Sequence, residues 1–347
     1  MTVGVDPLSV CIGLDAHHRT CTYAVKNANG ELVEEDTIPS LGHALLDLAD
    51  RFPGATVVVE ASSVLEWIYD TLTEHGVKVV PAHPLNVRRT LGKGRKNDKL
   101  DAGFLADMHR LGVLPTAYVP PKEIRGLREL VRRRAYLVQQ RTRYMNRIHG
   151  LLKRRGVRIL TDDGDGEVEE VTDIFANRNR DRLLALNEPE IPVMLRLMDH
   201  VTTEMKSATS SVERNARESE DVQRLLTIPG FGSLTALAVF AEIGDVSRFP
   251  DADHLAAYFG LVPTEDKSAD TTKRGRITKK GSSLARWLLG QAAWAHVRCC
   301  PKSSIAKDYK RLSKKKGKKK AIVMVARKLA KVSYHLLKER REFTLTG

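Results

Sequence analysis

The first 120 residues alternate short apolar runs with longer stretches in which apolar residues recur every three or four positions. Short apolar runs bounded by turn residues predict strands, and the wider spacing predicts amphipathic helices. Asn27-Ala28-Asn29-Gly30 has the composition of a turn between the second and third strands. The predicted strands are residues 10–14, 22–25, 31–38, 56–60 and 77–80. The predicted helices are residues 41–51, 65–74 and 98–111.

This order of elements predicts a particular fold class. Three meandering strands followed by helix, strand, helix, strand and helix is the order of the ribonuclease H-like fold. We therefore predict an α/β domain of this kind for residues 1–120. Pro115, Pro120 and Pro121 mark its end, because proline terminates helices and stiffens connections.

Residues 121–222 have the pattern of a helical coiled-coil arm. One apolar stripe runs through residues 122–155 with arginines opposite it, and a second helical region follows at 191–226. We expect the two to pair antiparallel, either within one chain or through a dimer. The segment between them, residues 161–170, holds six acidic residues and is predicted to be a solvated loop.

Residues 223–347 are predicted to form a mostly α-helical domain. Pro229-Gly230-Phe231-Gly232 lies between two helical patterns and is typical of a helix-hairpin-helix element. Its glycines would let backbone N–H groups approach a phosphate, although simple helix packing can use the same glycines. Further helices are expected at 252–259 and 282–294, with a polar loop at 264–276 and a basic tail at the end of the chain.

The charge of the chain indicates its partner. There are 57 lysines and arginines against 43 acidic residues, which gives a net charge of +14 and a pI near 9.6. Residues 302–341 carry 16 basic and 2 acidic side chains, residues 122–158 carry 13 and 2, and the rest is net acidic. One basic block can be a solvated helix face, but two in one chain favour a nucleic-acid partner.

The apolar runs, the N-terminus and the cysteines indicate the cellular compartment. No apolar run reaches the length of a membrane span, and the N-terminus lacks the basic and apolar regions of a signal peptide. Cys11, Cys21, Cys299 and Cys300 form no Cys-x-x-Cys pair, so they indicate neither a zinc site nor a disulfide framework. We expect a cytoplasmic protein with reduced thiols and no membrane partner.

Four carboxylates are candidates for a metal site. Asp98 and Asp101 are three residues apart on one face of a predicted helix, and Asp15 and Glu60 each end an apolar strand. Taken alone, the two helical aspartates are better explained by the helix dipole behind an N-cap at Asn97. With the two strand-end acids they form an all-oxygen set, which suits Mg²⁺ or Mn²⁺ and leaves positions for phosphate.

Basic side chains near these acids and in the second half of the chain are candidates for phosphate contacts. A basic loop at 88–96 precedes the helix with the aspartates, and a polar loop carries Ser268 among lysines and arginines. The candidate nucleic-acid-binding residues are Arg88, Arg89, Lys93, Arg95, Lys96, Arg132, Arg133, Arg134, Lys267, Lys273, Arg274, Arg276, Lys279 and Lys280.

Short motifs in a fixed order resemble one family over nearly the whole chain. Gly13-Leu14-Asp15-Ala16-His17, residues 57–62 and residues 96–102 together resemble the RuvC-like domain of the DEDD insertion-sequence transposases. Residues 228–232, Ser268 and residues 275–281 look like the second domain of that family. The resemblance implies a bridge-RNA-guided DNA recombinase with a composite active site. It implies metal ligation by Asp15, Glu60, Asp98 and Asp101, and a nucleophilic Ser268.

The resemblance also implies partners and a covalent intermediate. Donor DNA, target DNA and a bridge RNA are the expected partners, and a dimer or tetramer is the expected assembly. Attack by Ser268 would leave a phosphoserine and a free 3′ hydroxyl. This chain departs from the family pattern at Asn97, where threonine is common, and at Ala269-Asp270, where glycine is usual.

Two other functions fit the same residues. A metal-dependent nuclease or junction resolvase would use the carboxylates to activate water, and Ser268 would then be incidental. A non-catalytic DNA- or RNA-binding protein would use only the basic blocks. A covalent protein–DNA adduct indicates the recombinase, hydrolysed DNA ends indicate the nuclease, and intact DNA indicates the binding protein.

Overall fold

The structure, a computed structural model, describes residues 10–83, 98–158, 160–162, 168–170, 174–268 and 271–344. The chain divides into two compact units, Met1–Pro120 and Pro121–Gly347. Within the described residues, no helix is both long and apolar enough to cross a membrane. The basic loop at 88–96 lies outside the described residues.

The first unit is built on a five-stranded mixed sheet. Its strands are β1 (Cys11–Ala16), β2 (Thr20–Lys26), β3 (Leu32–Pro39), β4 (Thr56–Glu60) and β5 (Lys78–Ala82). Its helices are α1 (Gly42–Arg51), α2 (Leu65–Glu74) and α3 (Asp98–Arg110). The strands follow the order β3-β2-β1-β4-β5, with β1 to β3 antiparallel and β4 and β5 parallel to β1. The predicted ribonuclease H-like arrangement is confirmed.

Apolar side chains cover both faces of this sheet. Val57 and Val59 of β4 belong to the core that includes α1 and α2. Val58, between them, belongs to the core that includes Leu105 and Met108 of α3. A strand that is buried on both faces has apolar residues at every position of its sequence, which explains the three valines in succession.

A glycine in the central strand sets how closely α3 approaches the sheet. A Cβ atom on Gly13 would lie 1.9 Å from the carbonyl oxygen of Ala102 and 2.9 Å from the backbone nitrogen of Ala106. Glycine in a strand interior often marks such an approach of another backbone segment. Lys26 of β2 also forms an ion pair with Asp107, so α3 is held to β2 as well as to β1.

The arm is an antiparallel pair of helices that forms within the chain. α4 (Lys122–Arg155) packs against α6 (Glu190–Glu218). Arg134 Nε lies 3.3 Å from Thr209 Oγ1 near one end, and Arg147 pairs with Glu190 at 3.1 Å near the other. The connection contains β6 (Leu160–Asp162), β7 (Val168–Glu170) and α5 (Arg180–Leu184). The segment at 161–170 therefore includes paired strands, where the sequence predicted only a loop.

The C-terminal region has one apolar core enclosed by helices. The helices are α7 (Glu220–Leu226), α8 (Ser233–Ile243), α9 (Ala252–Tyr258), α10 (Ser283–Cys299), α11 (Ser304–Lys316) and α12 (Lys318–Glu339). The basic tail predicted for this region contains α11 and α12, and α12 buries an apolar face. Val325 and Leu329 are fully buried in that face, between exposed lysines.

The turn between α7 and α8 packs against α10. Gly230 has φ near 97°, and a Cβ atom there would lie 2.6 Å from the carbonyl oxygen of Ala292. Buried His296 places Nδ1 2.8 Å from the carbonyl oxygen of Pro229 and Nε2 3.1 Å from Ser303 Oγ. These contacts explain Gly230 by helix packing, whereas a Cβ atom on Gly232 would meet nothing within 4 Å.

The segment predicted as a polar loop is a β-hairpin. β8 (Pro263–Ser268) pairs antiparallel with β9 (Thr271–Ile277). The loop prediction for 264–276 was therefore wrong. Its charged composition contains no apolar alternation, which is the usual signal for a strand.

Candidate active site

Two of the candidate carboxylates lie at one edge of the sheet. The parallel register pairs Leu14 of β1 with Val59 of β4, so Asp15 and Glu60 are one residue beyond that pair on adjacent strands. Side chains alternate along a strand, and Cys11 and Val58 face α3. Asp15 and Glu60 therefore lie on the α3 side of the sheet.

The N-terminal turn of α3 comes to the same edge. Gly13 packs against Ala102 and Ala106, so the start of α3 lies beside the end of β1 that carries Asp15. Asp101 is half-buried in this turn. Asp98 is the first residue of α3, but its side chain lies outside the described residues.

Asp15 is largely shielded from water at this edge. The Asp15 side chain is only 13% exposed, and its Oδ2 lies 3.5 Å from His17 Nε2. Burial, and secondarily the charge of Asp107, raise the pKa of the thiol of Cys11, at the other end of β1, to about 12. Cys11 is therefore a neutral thiol at physiological pH and not a thiolate ligand.

The described carboxylates do not by themselves complete a metal site. Among the side chains that the structure describes, no three of histidine, cysteine, aspartate and glutamate are placed to hold a metal ion. Asp15, Glu60 and Asp101 supply oxygen donors, which is the chemistry that Mg²⁺ and Mn²⁺ prefer. The donor type thus fits a hard divalent ion, and Asp98 is the remaining candidate ligand.

Ser268 is the last residue of β8, at the tip of the hairpin. Its backbone pairs with Thr271, and the next pairs toward the base are Lys267 with Thr272 and Asp266 with Lys273. Residues 269–270 and the side chains of residues 265–274 lie outside the described part of the chain.

The base of this hairpin is held by backbone contacts. A Cβ atom on Gly260 would lie 2.4 Å from the Lys280 carbonyl oxygen, and one on Gly281 would lie 2.2 Å from that of Tyr258. Arg286 of α10 donates to the carbonyl oxygens of Phe259 at 3.2 Å and Gly281 at 3.1 Å, and also to that of Lys280. Arg286 was not among the residues predicted from the sequence, although its position in the first turn of a predicted helix was a signal.

The candidate basic residues fall into different surroundings. Arg132 Nη2 lies 3.5 Å from Glu242 Oε1 and Arg134 contacts Thr209, so both make contacts within the fold. Arg133 lines a groove between α4 and α6. Arg276, Lys279 and Lys280 are exposed. Arg88, Arg89, Lys93, Arg95 and Lys96 lie outside the described residues, as do the side chains of Lys267, Lys273 and Arg274.

Comparison with known families gives two matches along the chain. Residues 12–155 match a family described as a DEDD transposase of the IS110 type. Residues 222–311 match the family described as "Transposase IS116/IS110/IS902 family". The first match covers the ribonuclease H-like sheet and the start of the arm, and the second covers the hairpin with Ser268.

Relatives extend the similarity over most of the chain. "Transposase for insertion sequence element IS1111A" of Coxiella burnetii is 28% identical over 83% of this chain and 79% of its own length. "Probable family 20 transposase" of Pseudomonas aeruginosa is 28% identical over 94% of this chain and 92% of its own. "Pilin gene-inverting protein" of Moraxella bovis is 32% identical over 42% of this chain and 44% of its own.

Solved structures of RuvC align with part of the chain. RuvC of T. thermophilus in complex with a Holliday junction substrate is 15% identical, with a TM-score of 0.27, over 31% of this chain and 99% of its own. The fold assignment rests instead on the strand order of the sheet.

Proposed function

The chain belongs to the IS110-type family of insertion-sequence transposases, and on this premise we propose that it cuts and exchanges DNA strands through a covalent phosphoserine on Ser268. The observation that carries the proposal is the register of β1 and β4, which sets Asp15 and Glu60 side by side. The close packing of α3 on Gly13 brings Asp101 to the same edge. Acids from three separate elements thus lie toward one end of the sheet, which supports a strand-cutting centre there.

Asp15, Glu60, Asp98 and Asp101 are the proposed ligands of Mg²⁺ or Mn²⁺. A divalent ion held there would polarise the phosphate and stabilise the charge of the transition state. The β-sheet would hold these carboxylates in fixed positions, where they are partly shielded from water. Burial strengthens the attraction between these carboxylates and a cation.

Ser268 is the proposed nucleophile. Its Oγ attacks the phosphorus, the bond from phosphorus to the 3′ oxygen breaks, and the serine proton ends on that oxygen as a 3′ hydroxyl. The new phosphoserine bond retains the phosphodiester linkage, so a second strand can later reseal it without ATP. Lys267, Lys273, Arg274 and Arg276 supply positive charge around this phosphate.

Donor DNA, target DNA and a bridge RNA are the proposed partners, in the cytoplasm and with the protein as a dimer or tetramer. The charge of α11 and α12 supports a polyanionic partner. Residues 314–316 and 318–320 are six exposed lysines that form no ion pair with any residue the structure describes. Base pairing between the guide RNA and the DNA would select the DNA sequence, while the protein binds the phosphates.

The carboxylate proposal is tested with Asp15→Asn. Supercoiled donor and target DNA are incubated with Mg²⁺ and the RNA that copurifies with the protein. We expect cleavage to fall by at least about a hundredfold, because several kcal/mol of metal stabilisation are lost. DNA binding, measured by filter retention, should be unchanged. Asp50→Asn, at an exposed pair with His75 in the same unit, is the matched control and should cleave normally.

The serine proposal is tested on denaturing gels with a nicked target that traps the adduct. Ser268→Ala should give no covalent protein–DNA adduct while it still binds DNA. If the adduct persists, the nucleophile is another residue, such as Thr271, Thr272 or Ser282. If the wild-type protein releases hydrolysed ends and no adduct, it is a nuclease.

A further inference from the structure

An open apolar pocket of about 270 Å³ lies on the second unit, between α10 and α12. Trp287 and Gly290 of α10 line one wall, and Ile322 and Val323 of α12 line another. Ile277, the last residue of β9, lies at the pocket's edge toward the hairpin. Pockets for drug-sized ligands occupy roughly 300–1,000 Å³, so this smaller space suits one flat ring system.

Trp287 leaves its indole ring available to a ligand. Its side chain is 54% exposed. Gly290, three residues further along the same helical face, has no atom within 4 Å of where its Cβ would be, so there is free space beside the ring. Trp294, in contrast, already packs against Tyr309 with ring centroids 5.7 Å apart.

Positive charge borders the pocket on two sides. Lys279 lines it and Lys280 follows, and both are exposed. Lys318 and Lys319 are exposed one helical turn before Ile322 and Val323 of the pocket wall. None of these four lysines forms an ion pair with a residue that the structure describes. A ligand that combines a flat ring with nearby anionic groups complements this surface.

We propose that the pocket binds an unpaired base of single-stranded DNA, stacked on Trp287, while the flanking lysines contact the adjoining phosphates. Stacking on an exposed aromatic side chain within a basic groove is a general means of holding single strands. The inference rests on the proposed function, because it requires the protein to handle DNA. DNA is the chosen occupant because β9 leads directly from the Ser268 hairpin to Ile277, a distance of about 20 Å along the strand.

The test compares two fluorescein-labelled DNA oligonucleotides of equal length with the full-length protein. One is an oligothymidine and the other carries abasic sites, so the phosphate charge is the same and only the bases differ. Fluorescence anisotropy should show that wild-type protein binds the oligothymidine about tenfold more tightly. Trp287→Ala should lose this preference and keep its affinity for the abasic strand, whereas Trp287→Phe should keep part of the preference.

A second variant fills the pocket without touching the tryptophan. Gly290→Leu places a side chain in open space and raises the helix propensity of α10, so folding should not suffer. It should lose the base preference to the same extent as Trp287→Ala. Tyr136→Ala is the matched control, because Tyr136 is 57% exposed on the arm and lines no part of this pocket. It should keep the full preference.

Each other outcome overturns the proposal. Equal wild-type affinity for the two strands means that no base is bound, while the proposed function stands. Tighter binding of an RNA strand of matching sequence means that the occupant is RNA. A preference that survives both Trp287→Ala and Gly290→Leu places base binding elsewhere. If the protein binds neither strand, this inference fails, and filter retention of supercoiled DNA decides the proposed function separately.

Discussion

The carboxylate edge and the Ser268 hairpin are positioned by different means. Asp15 and Glu60 are fixed by hydrogen-bonded strands in the middle of a sheet that is buried on both faces. Ser268 lies five residues beyond Pro263 on a two-stranded hairpin, and the contacts that hold this hairpin are at its base. Backbone register thus positions the two carboxylates, while the position of Ser268 depends on a few contacts far from its hydroxyl group.

The largest effect should come from Gly13→Val, which changes the helix packing beside Asp15 and Glu60. The new side chain would collide with the backbone of α3, so α3 and Asp101 must move away from the edge. We expect a loss of about 3 kcal/mol in the free energy of unfolding, measured with urea, and loss of DNA cleavage.

Gly103→Ala is the matched control for that variant. A Cβ atom there would be 3.7 Å from Lys26 Cε, an ordinary contact, and alanine favours a helix by up to about 1 kcal/mol. It should leave cleavage intact. A Gly13→Val protein with normal stability would show that α3 does not pack closely against β1.

A smaller effect is expected from Arg286→Ala, which removes the side-chain contacts at the base of the Ser268 hairpin. Three carbonyl oxygens lose their charged donor, which should cost about 1.5–3 kcal/mol of stability. The yield of covalent adduct should fall about tenfold if the tip depends on the base. Arg298→Ala, at an exposed site on the same helix, is the control and should form the adduct normally. An undiminished adduct in Arg286→Ala would mean that the hairpin holds Ser268 without this anchor.

The smallest effect should come from Asp253→Asn, which tests whether exposed charge pairs also hold the second unit together. Lys331 at 2.9 Å and Arg327 at 2.7 Å, both on α12, lower the pKa of Asp253 below its usual 3.8. Because the pairs are exposed, we expect a cost below about 1 kcal/mol.

The pH dependence of this contribution has a definite sign. A folded pKa below the unfolded value makes the contribution complete above about pH 4, and it is lost as the pH falls through the folded pKa. Urea midpoints at pH 7 and pH 3 should therefore differ less for Asp253→Asn than for wild type. Equal differences in the two proteins would show that the pairs add nothing.

The sheet could be predicted from the sequence because its signals are local. The runs at β1 and β4 and the turn at residues 27–30 give the strand order, and Asp15 and Glu60 follow directly from where those runs end. The role of Gly13 could not be predicted, because the atom that excludes a side chain belongs to Ala102, far along the chain.

The second unit was harder to predict because charge obscures its pattern. Lysines dominate residues 314–331, yet Ala321, Val325 and Leu329 recur at helical spacing and are buried. The hairpin of Ser268 has no apolar alternation, and its base depends on contacts from Gly260, Gly281 and Arg286. The basic composition of α4 predicted Arg132 as a phosphate contact, but it could not show that this side chain faces Glu242.

The three valines of β4 have a consequence for how copies of such an insertion element lose activity as genomes age. Val57, Val58 and Val59 are all buried, and a one-codon deletion among them would move Glu60 into the place of Val59, in the core against α1 and α2. The same deletion would carry Glu60 to the opposite face, because side chains alternate along a strand. An inherited copy would thus keep an open reading frame while its protein carries a charge in the apolar core and a destabilised sheet, and sequencing would reveal it by a missing triplet just before the glutamate.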